Sequence, residues 1–190
     1  MKNLILITCL LLAAGCSRHQ PKVILELFVA SPSNDQTIAY GVRTSDLSRD
    51  SSDPDTVALS LMPGNCSAAI LHSTSWRWEK NGTLILTYLA FSEDSKCGRA
   101  EPSRLAWSDL IPPQSTDPKK PRPAEIREQD VLAHGIRHLT FLVRYSSDER
   151  LLESLSPASL AFFRSMCAQL AGRYETAKEF EVCSGVLNRR

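Results

Sequence analysis

Residues 75–91 read SWRWEKNGTLILTYLAF. An Asn-Gly pair between two runs of strand formers is the strongest short-range signal for a β-hairpin. A two-residue turn at Asn81-Gly82 pairs Lys80 with Thr83 and Trp78 with Ile85. Strand alternation then sets Trp76 and Trp78 on one face with Ile85, Thr87, Leu89 and Phe91. Arg77 and Glu79 take the other face, beside Leu84, Leu86 and Tyr88. The first strand alternates apolar and polar, while the second is apolar on both faces. The second is therefore expected at the centre of a sheet and the first nearer an edge. At this spacing the tryptophans read first as core; the other use of such a pair is as a platform on which a ligand stacks.

Working outward, residues 23–30 (VILELFVA), 36–43 (QTIAYGVR) and 56–62 (TVALSLM) read as further strands, the last through its alternating Val57, Leu59 and Leu61. Residues 67–72 (SAAILH) form another short strand, and a brief segment surrounds Leu105, Ala106 and Trp107. Residues 44–54 and 92–99 are polar loops. Residues 111–123 (IPPQSTDPKKPRP) hold five of the eleven prolines, which forbids helix and sheet ladders and marks an exposed connector.

Beyond it the period changes. In residues 130–145 (DVLAHGIRHLTFLVRY), Leu132, Ile136, Leu139 and Val143 recur at helical spacing, with Asp130 as a candidate N-cap. Ser156-Pro157 opens a second helix, with Leu160, Phe163, Cys167 and Leu170 on one face and Gly172 to end it. A third, from about Glu175, lines up Phe180, Cys183 and Leu187. The expectation is one α+β domain over residues 23–190: an antiparallel sheet of about five strands followed by two or three helices packed on it. It is β-rich over 23–110, has its connector at 111–124, and is helical over 125–190.

The first fifteen residues are of another kind. One positive charge at Lys2 precedes an apolar run of about a dozen residues and a small-residue exit. A membrane-spanning helix needs about 20 apolar residues, so residues 1–15 read as a signal peptide. The exit, Leu12-Ala13-Ala14-Gly15-Cys16, resembles the lipobox of bacterial lipoproteins. Ala13 stands where that family most often has Leu. The resemblance implies cleavage before Cys16 and attachment of two or three fatty acyl chains, palmitate among them, to that cysteine. Ser17, where Asp marks inner-membrane retention, implies the outer membrane in a two-membrane organism. Residues 16–22 then form the lipidated cysteine and a tether, whose six residues after Cys16 reach at most about 20 Å.

Six cysteines are present. Cys9 leaves with the signal peptide and Cys16 takes lipid, so Cys66, Cys97, Cys167 and Cys183 remain. An even number in an oxidising compartment reads as two disulfides. Cys66–Cys97 and Cys167–Cys183 are preferred because each pair lies within one region. A thiolate zinc site usually shows close Cys-x-x-Cys pairs, which these four do not form.

The charges nearly cancel, 22 Lys and Arg against 21 Asp and Glu, which argues against a nucleic-acid partner. The sharpest chemical signal is His134-Gly135-Ile136-Arg137-His138. Histidines at i and i+4 share a helix face and can offer two imidazoles to one metal, with Asp130 four residues earlier as third ligand. Against this, Gly135 stands where a zinc protease carries its Glu, and Asp130 has its capping role. Gly135 in mid-helix costs about 1 kcal/mol relative to Ala, as a close-packing position does. Nucleophile elbows, Ser-x-x-Lys motifs and phosphate-binding loops are absent. No cofactor is implied. The functional expectation is an extracytoplasmic lipoprotein, anchored through its lipid, that binds envelope proteins without catalysis. The alternative is a metal-binding protein or metal-dependent enzyme built on His134 and His138.

Overall fold

The computed structural model describes residues 21–33, 36–48, 53–94, 97, 103–106, 126–145 and 148–166. Cys16, the connector at 111–124, Trp107, Cys167, Cys183 and the helix expected from Glu175 lie outside them. The elements run β1 (Val23–Pro32), β2 (Thr37–Asp46), α1 (Pro54–Ser60), β3 (Ile70–Trp78), β4 (Leu84–Phe91), β5 (Ser103–Ala106), α2 (Glu128–Tyr145), α3 (Glu149–Glu153) and α4 (Pro157–Ser165). The fold is α+β. The five strands form one sheet in the order β3-β4-β1-β2-β5.

The sheet is mixed, which corrects the antiparallel expectation. β1 pairs antiparallel with β2 but parallel with β4, from Val23 opposite Leu84 to Ala30 opposite Phe91. The chain leaves β2, passes through α1, and returns on the far side of β1, so β4 runs alongside β1. As its two apolar faces require, β4 is central, and amphipathic β3 is an edge strand.

Residues 56–62 are not a strand. Asp53 caps a short helix there, accepting from the Thr56 N–H at 3.2 Å and its hydroxyl at 3.1 Å, and Pro54 sits in the first turn. Val57 and Leu61, one helical turn apart, pack against the sheet, while Leu59 between them is 55% exposed. Three alternating residues fit either period; the cap decides.

The two faces of the sheet carry separate cores. Leu25, Leu27, Val29, Tyr88 and Ala90 meet α1 and Cys97. On the other face Phe28, Ala30, Leu89 and Phe91 meet α2 and α4. All four residues of the α2 stripe, Leu132, Ile136, Leu139 and Val143, are buried there. Phe91 packs on Phe163 of α4 with ring centroids 4.7 Å apart. Each fully buried side chain of this size contributes about 1.5–3 kcal/mol.

Asp130 lies inside the first turn of α2, not at its cap. It reaches back to the Arg127 N–H at 2.9 Å, the returning half of a capping box, and grips the Arg127 guanidinium at 2.9 and 3.1 Å. Ser156 does cap α4, accepting from the Ser159 N–H at 3.2 Å. That helix ends at Ser165, short of Gly172, and Met166 after it is extended.

Candidate functional site

The hairpin of residues 75–91 forms, but one residue out of the expected register. Trp78 pairs with Leu84, Arg77 with Ile85 and Trp76 with Leu86. The turn explains the slip. A two-residue type I′ turn needs positive φ at both Asn81 and Gly82, and only Gly82 has it, at +79°. The Asn81 side chain instead accepts from the Thr83 N–H at 3.0 Å, and the Gly82 N–H donates to the Glu79 carbonyl at 3.0 Å. The loop is thus three residues long, with glycine in the left-handed position. A one-residue slip moves every side chain to the opposite face.

Trp76 and Trp78 are therefore not core. They stand on the α1 side of the edge strand, 60% and 54% exposed, beside half-buried Leu84 and Leu86. Arg77 turns instead toward the α2 side, where it meets Glu26 of β1 in a forked pair at 2.8 and 2.9 Å. The Thr87 hydroxyl joins both at 3.2 Å. The hydrogen bonds it donates to the Glu26 carboxylate hold the guanidinium above its ordinary value.

A bulge at Thr74 interrupts the β3–β4 pairing between Ser73 and Ser75. The extra residue changes the parity of the strand. His72 before the bulge and Arg77 after it consequently face the same side. His72 meets α2: its Nε2 lies 3.1 Å from His138 Nδ1, with the ring planes within 17°. One ring carries the proton and the other accepts. His134 lies one turn earlier, its ring 6.2 Å from that of His138. Burial pushes all three imidazoles below their ordinary value; His138 adds to this at His72, and Arg137 then His138 at His134.

Gly135 is what allows the contact. A Cβ there would lie 3.2 Å from Leu89 Cδ2 and 3.5 Å from Thr74 Cγ2, so α2 crosses β4 at close range, as the glycine in mid-helix led one to expect.

Of the sequence-derived ligand set, His134 and His138 come together and Asp130 does not join them, being held by Arg127. His72, 66 residues from His138 in sequence, was missed; nothing local marks it except its place in a strand reading. The His72–His138 hydrogen bond points two nitrogens at each other, whereas two metal ligands point at a third place. Among the described residues, no group of three or more His, Cys, Asp or Glu side chains is arranged to hold a metal ion.

Other polar groups are engaged in building the fold. The Tyr88 hydroxyl donates to Asp55 at 2.8 Å, and burial together with that carboxylate pushes its pKa up to about 12. Glu93 accepts from the Ser156 N–H at 2.7 Å at the start of α4. Burial raises its pKa, and the bonds from Ser159 and Ser156 outweigh that and hold it low. An open cleft of about 670 Å³ lies beside it, lined by Ser33, Gln36, Ser159 and Phe162 among others. Cys66 and Cys97 form a disulfide, with Cα atoms 5.4 Å apart, as the regional argument expects. Neither the protein-family models nor the curated proteins match this chain.

Proposed function

We propose that this chain is an extracytoplasmic lipoprotein, anchored in a membrane by lipid on Cys16, that acts as a non-enzymatic binding or assembly accessory for envelope proteins. In an organism with two membranes it belongs on the outer one, facing the periplasm. The observation that carries the reading is the run Leu12 to Cys16 behind a short apolar stretch. The Cys66–Cys97 disulfide supports it from another side, because such bridges persist in oxidising compartments. The engagement of Glu26, Asp55, Glu93 and Asp130 in structural bonds favours binding over catalysis.

Fractionation of cells carrying the wild-type chain or Cys16→Ser tests the anchor. The variant is expected in the soluble fraction; unchanged membrane retention refutes the reading. Crosslinking in the native membrane, followed by identification of captured proteins, tests the accessory role.

A second reading is metal binding by two imidazoles, because His134 and His138 do share one face of α2, with their rings 6.2 Å apart. Elemental analysis of the purified protein decides it. Stoichiometric metal that disappears in His138→Ala supports this reading, and metal-free protein removes it.

A further inference from the structure

The two exposed tryptophans stand where the chain enters the sheet. Val23, the first residue of β1, is the register partner of Leu84, and Leu84 is the partner of Trp78. These three lie in one row across two strand spacings, so Trp78 is about 10 Å from Val23. Trp76 begins the next row on the same face, through Leu86 to Leu25. The Leu84 N–H donates to the Lys22 carbonyl at 2.9 Å, which ties the residue before β1 into the same end of the sheet.

From Cys16 to this point there are only six residues, at most about 20 Å of extended chain. Whatever holds Cys16 also holds this end of the sheet. We propose that Trp76 and Trp78, with Leu84 and Leu86 beneath them, seat against the phospholipid head-group region of the membrane that carries the lipid on Cys16. The inference rests on the lipid attachment proposed above.

The chemistry suits that occupant. An indole has an apolar body and one N–H donor, and such rings concentrate at membrane–water interfaces. The nearby charges are closed locally, Lys22 with Asp46 at 3.0 Å and Arg77 with Glu26 and Glu79. The surroundings of the pair are therefore near neutral and favour aromatic seating over attraction to anionic lipid. Exposed Lys80 in the hairpin turn adds one cation at the rim. α1 packs on the same face over β1, with Ala58 and Val57 in one cluster with Leu25 and Asp55 on Tyr88, yet it leaves the edge-strand tryptophans 60% and 54% exposed.

The test uses the full lipid-bearing chain, extracted from membranes and reconstituted into vesicles of phosphatidylethanolamine and phosphatidylglycerol with brominated acyl chains. A Trp107→Phe background leaves only the pair to emit. Emission is expected to be quenched relative to unbrominated vesicles, and Trp76→Phe or Trp78→Phe to remove its share of the quenched signal. Unquenched emission from a chain whose N-terminal peptide carries lipid by mass spectrometry overturns this inference alone. A chain without that lipid overturns the proposed anchor and this inference with it. In an otherwise wild-type chain, a photocrosslinking residue at position 78 is expected to capture phospholipid; capture of a protein instead overturns the membrane assignment.

Discussion

Replacing Gly135 with Ala isolates the contact on which the α2–sheet packing turns. In a helix interior the change from Gly to Ala is worth about 1 kcal/mol in favour of Ala. Here the new methyl meets Leu89 Cδ2 at 3.2 Å and Leu89 Cβ at 3.6 Å. Leu89 is 1% exposed at the centre of β4, between the neighbouring strands and α2, so it has little room to yield. Adding a methyl group to such a core costs about 1–3 kcal/mol. The net expectation for Gly135→Ala is a loss of about 1 kcal/mol, the clash of about 2 outweighing the propensity gain. The sign should reverse once the obstacle is gone. In a Leu89→Ala background, itself costing about 2–5 kcal/mol, the Cδ2 contact is absent and Gly135→Ala should stabilise by about 1 kcal/mol. The double-mutant cycle therefore carries a coupling of about 2 kcal/mol. Urea unfolding of the four proteins measures it, read from midpoints at unchanged m. If Gly135→Ala stabilises wild type as much as it stabilises Leu89→Ala, the close crossing of α2 over β4 is wrong.

The Cys66–Cys97 bridge closes a separation of 31 residues, for which the chain-entropy relation gives about 4 kcal/mol; reduction, or Cys66→Ala with Cys97→Ala, should lower the unfolding free energy by that order, and an unchanged urea midpoint would contradict it. Because burial lowers the pKa values of His72, His134 and His138 in the folded state, the unfolded chain takes up their protons first. Their contribution is therefore whole above about pH 6.5, the ordinary histidine value. It is lost as pH falls from there toward the lowered folded values, at a slope of at most about 1.4 kcal/mol per pH unit per histidine. Thermal unfolding from pH 8 down to pH 5 should show the decline, shallower in His72→Gln; equal slopes would remove the histidines as its source. Glu26→Gln breaks the forked pair with Arg77, both side chains being mostly covered, and should cost about 1–3 kcal/mol. Adding Arg77→Met should recover part of that loss, and no recovery in calorimetry would argue against the coupling.

What the sequence made legible was local. The apolar stripe of α2, the Ser156 cap and the central place of β4 each follow from a period or a cap within a few residues. The helix at Pro54–Ser60 was equally local, since Asp53 and Pro54 are an ordinary start signal, but the alternation of Val57, Leu59 and Leu61 masked it. The parallel pairing of β1 with β4 had no local trace. It depends on which side of β1 the second hairpin docks, and both sides of an apolar strand offer the same ladder of backbone groups. His72 and Glu26 were invisible for the same reason: their partners are 66 and 51 residues away.

The register of the β3–β4 hairpin shows how a small local choice reaches the surface. Asn-Gly correctly marked the turn, yet the Asn81 side chain took the Thr83 N–H and lengthened the loop by one residue. That choice placed Arg77 against Glu26 and Thr87 and put both tryptophans outside. The bulge at Thr74 then restored the parity that brings His72 under α2. The strand is thus tuned at two points so that it serves the core at one end and presents aromatic rings at the other. An edge strand bearing two exposed indoles invites pairing with another chain in free solution. Under the proposed anchoring through Cys16, the six residues that follow it leave that end of the sheet little freedom to meet another copy and keep it at the bilayer surface. On this argument the exposure of Trp76 and Trp78 and the shortness of the segment from Cys16 to Val23 are two parts of one arrangement. A longer flexible tether, inserted after Lys22, should then raise self-association of the anchored chain, measurable by crosslinking between copies. No increase would separate the two features.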